Sequence, residues 1–194
     1  MNFIKLKNQF VFDMESFVVD ESATFLAHGS VSYYEVVLPE DINNKILSVI
    51  PIQFHKFFSV FYLSGGGKLS PHTDQTSQCT LLFYTNPGNF RTEFYELINP
   101  NPETIKSIPT SINTDVRQLL AEEYWPHVYK NSDLKLIDSY VAKPHEAWLL
   151  NGQTIHAVEP VDDSSIHLRS AIGLDTRDLS FDTVVNLLKQ TNSI

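Results

Sequence analysis

Residues 55–97 read HKFFSVFYLSGGGKLSPHTDQTSQCTLLFYTNPGNFRTEFYEL, and this stretch decides the fold. Its first part, His55–Leu63, is rich in aromatic and β-branched residues and predicts a strand, and the glycines at 65–67 predict a loop after it. The Asn86–Asn89 segment predicts a turn between two strands. The strands predicted after the glycines are Leu69–Asp74, Cys79–Thr85 and Arg91–Leu97.

The rest of the chain continues this pattern of short strands. Further strands are predicted at Val31–Leu38, Leu134–Val141, Ala147–Leu150, Thr154–Val158 and Ile166–Leu174. Helices are predicted at Ile42–Ile50 with Asp41 as N-cap, at Asp115–Tyr124 and at Phe181–Lys189. Asn99–Pro109 has three prolines and no periodicity, which predicts a long surface loop. Roughly eight to ten strands without βα alternation predict a mostly β fold, a double-stranded β-helix (jelly roll) with two or three flanking helices.

Composition limits the classes of protein to which the chain can belong. With 194 residues and 42% hydrophobic content, we expect a single domain over residues 1–194. The formal net charge of −9 argues against nucleic acid as a partner. Cys79 is the sole cysteine, so no intramolecular disulfide can form, which fits a reducing, cytoplasmic location. No secretory leader is recognisable, and every apolar run is shorter than the ~20 residues of a membrane span.

Two histidines and one aspartate, His72, Asp74 and His156, are candidate metal ligands. His72 and Asp74 are two residues apart, so on a strand both side chains project to one face. His156 lies in another predicted strand, 82 residues after Asp74. Two imidazoles and one carboxylate form the facial triad that binds nonheme iron(II) and leaves positions open for other ligands. The alternative is a surface hydrogen-bonded pair of His72 and Asp74, with His156 an ordinary half-buried histidine.

Arg169 is a candidate anion-binding residue. On the predicted strand Ile166–Leu174 it shares a face with Ala171 and Gly173, whose small side chains leave room beside the guanidinium. A guanidinium binds a carboxylate through two parallel hydrogen bonds, which favours a dicarboxylate such as 2-oxoglutarate as ligand. The alternatives are a surface ion pair of Arg169, or His167 as the anchor, which is weaker because it is mostly neutral at pH 7.

Three motifs together resemble a known family. They are GGKLSPHTD at residues 66–74, AWLLNGQTIHAVEPV at 147–161 and RSAI at 169–172. In this order they resemble the iron(II)- and 2-oxoglutarate-dependent oxygenases, particularly the prolyl-hydroxylase-like branch. The similarity extends from about Phe57 to Leu174. The 13 residues between His156 and Arg169 are a longer spacing than is usual in that family.

The resemblance implies a set of site residues and cofactors. His72, Asp74 and His156 would bind Fe(II), and Arg169 would bind 2-oxoglutarate, with O2 as the oxidant and ascorbate as an additional reductant. Tyr62 and Tyr84 would line the cosubstrate pocket. Thr80 joins this set because it shares a strand face with Tyr84.

The implied activity is a dioxygenase that hydroxylates an unactivated C–H bond while 2-oxoglutarate is decarboxylated to succinate and CO2. The substrate would be a small molecule or a protein or peptide side chain, prolyl-type hydroxylation included. The alternative is a non-oxidative, metal-binding cupin-like barrel or a degenerate oxygenase that serves as a binding module. A nucleic-acid demethylase is disfavoured because the chain has no basic track. The sequence specifies neither the substrate nor the oligomeric state.

Overall fold

The computed structural model describes residues 1–12, 24–28, 31–74, 77–106, 111–112, 127–162 and 168–194. Within these residues the chain forms fourteen strands and two α-helices. The strands are β1 (Phe3–Lys5), β2 (Thr24–His28), β3 (Val31–Glu35), β4 (Ser59–Gly66), β5 (Leu69–Thr73), β6 (Cys79–Asn86), β7 (Phe90–Leu97), β8 (Thr104–Lys106), β9 (Ser111–Ile112), β10 (His127–Tyr129), β11 (Leu134–Val141), β12 (Ala147–Asn151), β13 (Ile155–Pro160) and β14 (Leu168–Thr176). The helices are α1 (Glu40–Leu47) and α2 (Phe181–Gln190).

The strands form two antiparallel sheets. The large sheet has the order β1-β12-β6-β14-β4-β3-β2-β9, and the small sheet has the order β11-β7-β13-β5-β10-β8. Eight strands pair in a nested manner: β4 with β14, β5 with β13, β6 with β12 and β7 with β11. This nesting is that of a long hairpin wound into two facing sheets, the jelly roll. The prediction of a mostly β double-stranded β-helix with few helices is therefore confirmed.

Both faces of the large sheet are buried. On the outer face, Leu81, Phe83 and Ile172 belong to a cluster that includes side chains of α1 and α2. On the inner face, Leu82 and Ala171 belong to a second cluster that includes Phe94 of the small sheet. A sheet covered on both sides needs apolar residues at successive positions, because alternate side chains point to opposite faces. This requirement explains the continuous apolar run at residues 81–84.

The strand that precedes His72 and Asp74 differs from the prediction at both ends. β4 begins at Ser59 rather than His55, because the residues after Pro51 form a 3₁₀-helix over Ile52–Phe57. β4 also continues through Gly66, so the glycines do not end the strand as predicted. Glycine accepts positive φ at little cost, and φ is 154° at Gly65 and 96° at Gly67, where the chain turns into β5.

The two helices are close to their predicted positions. The N-cap of α1 is Pro39 and not Asp41, which instead lies in the first turn, where its negative charge favours the helix N-terminus. In α2, the Ser180 side chain accepts a hydrogen bond from the Thr183 N–H, as an N-cap does. The predicted helix Asp115–Tyr124 lies outside the described residues. Among the residues described, no helix is long and apolar enough to cross a membrane.

Additional strands extend both sheets beyond β4 and β5. In the large sheet β3, β2 and β9 follow β4, and in the small sheet β10 and β8 follow β5. The segment Asn99–Pro109, predicted to be a loop, therefore contains a strand, because Thr104–Lys106 pairs with β10. The strand β5, which carries His72, is an interior strand of its sheet as a result.

Candidate metal centre and anion site

The structure brings His72, Asp74 and His156 together. His72 on β5 lies directly opposite His156 on β13, and Asp74 follows the end of β5 by one residue. The Nε2 atom of His72 is 3.6 Å from one Asp74 carboxylate oxygen, and the Nε2 atom of His156 is 3.8 Å from the other. All three ligand atoms lie within 4.8 Å of one another. At metal–ligand distances of about 2.1 Å, two ligands of one ion are at most ~4.2 Å apart, so the two contacts to Asp74 fit a shared ion.

Backbone hydrogen bonds orient both imidazole rings. Nδ1 of His72 lies 2.7 Å from the Ser70 carbonyl oxygen, and Nδ1 of His156 lies 2.9 Å from that of Thr154. A carbonyl oxygen can only accept, so in both rings Nδ1 carries the hydrogen and Nε2 has the lone pair. Nε2 is consequently the atom of each ring that would bind a metal. Such outer contacts fix ring orientation and are typical of metal-binding histidines.

The turn between β12 and β13 holds Asp74 in place. The Asp74 N–H donates to the Gly152 carbonyl at 2.8 Å. The Gln153 side-chain amide donates to the carbonyls of Asp74 and Ser77, at 2.9 and 2.7 Å. A Cβ atom on Gly152 would lie 2.7 Å from the Ser77 carbonyl oxygen and 3.0 Å from Asp74 Oδ2. Asn151-Gly152 is a recognisable turn signal, but sequence alone did not reveal its contact with Asp74.

Thr80 faces the interior but supports a different group. It lies opposite Asp175 on β14, and its hydroxyl donates to the Asp175 carboxylate at 2.9 Å. The Ser77 hydroxyl donates to the same carboxylate. Burial raises the pKa of Asp175, against the effect of these two hydrogen bonds. Asp175 is six residues from Arg169, about 20 Å along an extended strand, so the structure does not bring Thr80 to Arg169.

Arg169 is a buried cation with no anionic partner among the residues that the structure describes. The residue is 5% exposed and lies on the inner face of β14 together with Ala171. Its guanidinium carbon is 5.7 Å from the centre of the Phe90 ring. Its Nε has no hydrogen-bond partner, and no carboxylate among the described residues forms an ion pair with it. Burial of an unpaired charge is costly, so this arrangement is suited to an anionic ligand.

Three tyrosine hydroxyls lie within electrostatic reach of Arg169. Burial raises the pKa of Tyr33, Tyr84 and Tyr140, and the Arg169 charge acts in the opposite direction on all three. The hydroxyls of Tyr84 and Tyr140 are 3.1 Å apart and hydrogen-bonded to each other. The Tyr140 ring stacks on Trp148 at 4.0 Å. The sequence indicated Tyr84 but gave no signal for Tyr33 or Tyr140.

Tyr62 does not belong to this group. It lies opposite Ile172, and it packs against the cluster between the large sheet and the helices. Arg169 projects to the other face of the same sheet, since it lies opposite Gly65. The predicted place of Tyr62 in the cosubstrate pocket is therefore corrected: this tyrosine is part of the helix-side core.

The extension of the small sheet continues the face that carries the candidate metal ligands. Val128 on β10 lies directly opposite His72, and Ile105 on β8 lies opposite Val128. Directly opposed residues share a face, so an apolar row follows His72 across two further strands. Ile105 is 65% exposed. An apolar surface therefore lies beside the candidate metal ligands.

No family model matches the sequence, and no curated protein matches it. Among solved structures, E. coli ycfD aligns with a TM-score of 0.44 at 8% identity, over 80% of this chain and 36% of that one. The chain thus spans 36% of the length of ycfD.

Two further solved structures contain 2-oxoglutarate. The epimerase SnoN, solved with Fe³⁺, alpha-ketoglutarate and nogalamycin RO, aligns with a TM-score of 0.43 at 12% identity, over 81% of this chain and 69% of that one. HygX from Streptomyces hygroscopicus, solved with nickel, 2-oxoglutarate and hygromycin B, aligns with a TM-score of 0.38 at 10% identity, over 92% of this chain and 84% of that one. All three TM-scores are below 0.5, so we base neither the family nor the function of this chain on them. The likeness to the prolyl-hydroxylase-like branch stays a prediction.

Proposed function

We propose that this chain is an iron(II)- and 2-oxoglutarate-dependent oxygenase. In this proposal His72, Asp74 and His156 bind the metal and Arg169 binds the distal carboxylate of 2-oxoglutarate. The observation that carries the proposal is Arg169 itself, a buried guanidinium with an unpartnered Nε. It lies on the inner face of a jelly roll whose facing sheet carries the His-Asp-His group.

The donor set fits nonheme iron(II) better than structural zinc. Two imidazoles and one carboxylate leave several coordination positions for other ligands, whereas a structural zinc site is closed by four protein ligands. Within the described part of the chain, these three residues are the one group of His, Cys, Asp and Glu with metal-ligand geometry. The open positions would accommodate a chelating 2-oxo acid.

The residues of the chain would bind and orient the cosubstrate. Arg169 offers a planar donor group that can bind one carboxylate at two points, while the 2-oxo acid end reaches the metal ligands. The cluster that contains Phe94, Tyr140 and Trp148 fills the space between the sheets and excludes water on that side. Iron(II), when bound, would supply the dioxygen chemistry that couples decarboxylation of 2-oxoglutarate to succinate and CO2 with hydroxylation of a C–H bond.

The proposed prime substrate is a small molecule or a protein side chain. We assign its approach to the side of the metal ligands where Val128 and Ile105 continue the inner face of the small sheet. This assignment is supported by the exposure of Ile105 and by the direct pairing of Val128 with His72. An apolar surface at this place suits a substrate whose oxidised carbon belongs to a hydrocarbon portion.

Anaerobic spectroscopy tests the proposal directly. Addition of Fe(II) and 2-oxoglutarate to the protein should give a visible metal-to-ligand charge-transfer band. His156→Ala should abolish the band, whereas His127→Ala should retain it, because His127 is on β10 and hydrogen-bonds Thr104. Absence of the band in folded wild-type protein that binds iron would reject the oxygenase proposal. Metal binding with neither band nor succinate in air would support the non-oxidative, cupin-like alternative.

A further inference from the structure

Asp175 is a partly buried carboxylate to which the proposed function assigns no role. It lies on the inner face of β14, the face that also carries Arg169, and directly opposite Thr80 on β6. Its Oδ1 atom accepts hydrogen bonds from two hydroxyls, that of Thr80 at 2.9 Å and that of Ser77. Burial of a carboxylate is costly unless donors replace the water that it loses, so the two hydroxyls stabilise Asp175 in this position.

Ser77 connects this carboxylate with the candidate metal ligand Asp74. The Ser77 hydroxyl donates to Asp175, and the Ser77 carbonyl accepts a hydrogen bond from the Gln153 side-chain amide at 2.7 Å. The same amide nitrogen donates to the Asp74 carbonyl at 2.9 Å. Gln153 therefore ties the backbone of Asp74 to that of Ser77, and Asp175 fixes the place of Ser77. A continuous path of three hydrogen bonds leads from Asp175 to Asp74.

The carboxylate of Asp74 must keep one orientation to serve both histidines. Its side chain is 32% exposed, and its two oxygens face different rings, one the Nε2 atom of His72 and the other that of His156. The point at which a Cβ atom on Gly152 would stand is 3.0 Å from Asp74 Oδ2 and 2.7 Å from the Ser77 carbonyl oxygen. The two groups pack against the same glycine, so a displacement of Ser77 changes the space in which the Asp74 carboxylate lies.

We propose that Asp175 is a positioning residue for the metal ligand Asp74, acting through Ser77 and Gln153. This inference rests on the proposed function, because it assumes that Asp74 and the two histidines bind the metal. Strand β14 thereby serves both parts of the site, with Arg169 near its start and Asp175 near its end. Removal of a group that holds a metal ligand typically lowers metal affinity by roughly 10- to 100-fold.

Mn(II) affinity, followed by the EPR signal of the unbound ion, tests the path. Asp175→Ala and Ser77→Ala remove the two partners of its first hydrogen bond, and we expect each to weaken Mn(II) binding about tenfold. The double variant should bind no more weakly than the weaker single variant, because both changes break the same path. Asp175→Asn keeps an oxygen that can accept from Ser77 and should recover part of the loss. If Asp175→Ala does not fold, Ser77→Ala decides the test.

Glu146→Ala is the matched control for the loss of a buried carboxylate. Glu146 is 5% exposed and accepts hydrogen bonds from the Lys5 ammonium, the Lys143 N–H and the Trp148 indole. These three donors belong neither to the candidate metal ligands nor to the path from Asp175. We expect Glu146→Ala to lower the melting temperature while its Mn(II) affinity stays near the wild-type value, and Asp175→Ala to lower both quantities.

The visible spectrum of the Co(II)-loaded protein distinguishes a displaced ligand from a weakened fold. Its bands depend on the number and arrangement of the ligand atoms, so they should change in Asp175→Ala and not in Glu146→Ala. Wild-type affinity and spectrum in folded Asp175→Ala, or an equal loss of Mn(II) affinity in Glu146→Ala, would overturn the inference and leave the proposed function intact. Failure of the wild type to bind Mn(II), or unchanged affinity in Asp74→Ala, would overturn the proposed function as well.

Discussion

His72 and His156 lie directly opposite each other on the antiparallel strands β5 and β13, with ring centroids 4.5 Å apart. Their distance in the sequence is 84 residues, and the strand pairing alone brings them together. A shift of the register by one residue would turn one of the two rings to the outside of the sheet. The candidate metal site is therefore a property of the jelly-roll pairing rather than of a local loop.

Replacement of one histidine should remove metal binding and the stability that the metal confers. For His156→Ala we expect Mn(II) or Fe(II) affinity to fall about 100-fold or more, because one of three ligands is lost. A metal at 100 times its dissociation constant stabilises the native state by about 2.7 kcal/mol, which raises the melting temperature. Calorimetry with and without metal measures both effects. His127→Ala should respond to metal as wild type does, and an equal response of His156→Ala would contradict the assignment.

Substitution at Gly152 should weaken the metal site through Asp74. In Gly152→Ala the new Cβ would lie 3.0 Å from Asp74 Oδ2 and 2.7 Å from the Ser77 carbonyl, so the ligand must shift. We expect metal affinity to fall about tenfold and the free energy of unfolding by about 1–3 kcal/mol. Metal titration and urea denaturation would measure the two quantities.

Gly173→Ala is the matched control for this prediction. Its Cβ would lie 2.1 Å from the Phe61 ring and would also strain the interior, but its three nearest atoms all belong to Phe61 and none to a candidate metal ligand. We expect it to lower stability while metal affinity stays near the wild-type value. A parallel loss of metal affinity in both glycine variants would mean that general destabilisation, and not displacement of Asp74, is the cause.

A pH dependence of stability should arise at Glu146. Burial opposes ionisation of this carboxyl, but hydrogen bonds from Lys5, the Lys143 N–H and the Trp148 indole outweigh it and lower its pKa. The unfolded pKa is about 4.3. The stabilisation is therefore complete above that pH and is lost as pH falls through the lower folded-state pKa. Glu146→Gln should be less stable than wild type at pH 7, and the difference should shrink below about pH 4.

Urea denaturation at pH 7, 4 and 3 tests this pH dependence. Lys5→Met serves as a second variant, because the Lys5 hydrogen bond is the largest of the causes that lower the pKa of Glu146. We expect its stability difference from wild type to fade over the same acidic range. A deficit of Glu146→Gln that stays constant from pH 7 to pH 3 would indicate a packing effect, transmitted through Trp148 to Tyr140.

The sequence predicted the strands of the jelly roll well, because their apolar runs are local signals. β11 has the predicted bounds, and α2 ends one residue later than predicted. The spacing of His72 and Asp74 indicated a shared face, which depends only on strand alternation. Gln153 and Gly152 were missed, because their contact with Asp74 connects two turns that are distant in sequence.

The positions of Tyr62 and Tyr33 could not be predicted from the alternation of side chains along a strand, because alternation does not show which face of the sheet points inward. Tyr62 lies in a run of apolar residues, and both faces of the large sheet are buried. No polar face therefore marks which side of the strand points inward. The pairing register of β4 with β14 determines the face on which Tyr62 lies. The adjacent pair Tyr33 and Tyr34 presents the same ambiguity. Only the pairing of β3 with β4 shows that Tyr33 lies on the same face of the sheet as Arg169.

Arg169 should bind the cosubstrate at a cost to the stability of the unliganded protein. The side chain is 5% exposed, its Nε is unpartnered, and no carboxylate among the described residues pairs with it. Replacement of such a buried charge by an apolar side chain of similar length removes a desolvation penalty, so Arg169→Met should unfold at equal or higher urea concentration, with a gain of up to about 2 kcal/mol. The same variant should lose about 100-fold in 2-oxoglutarate affinity, measured by the charge-transfer band, because the guanidinium no longer binds the distal carboxylate. Arg91→Met, which breaks the partly buried pair with Glu93, should leave 2-oxoglutarate binding unchanged. If Arg169→Met were destabilised and still bound 2-oxoglutarate, Arg169 would be a structural residue rather than the anion site.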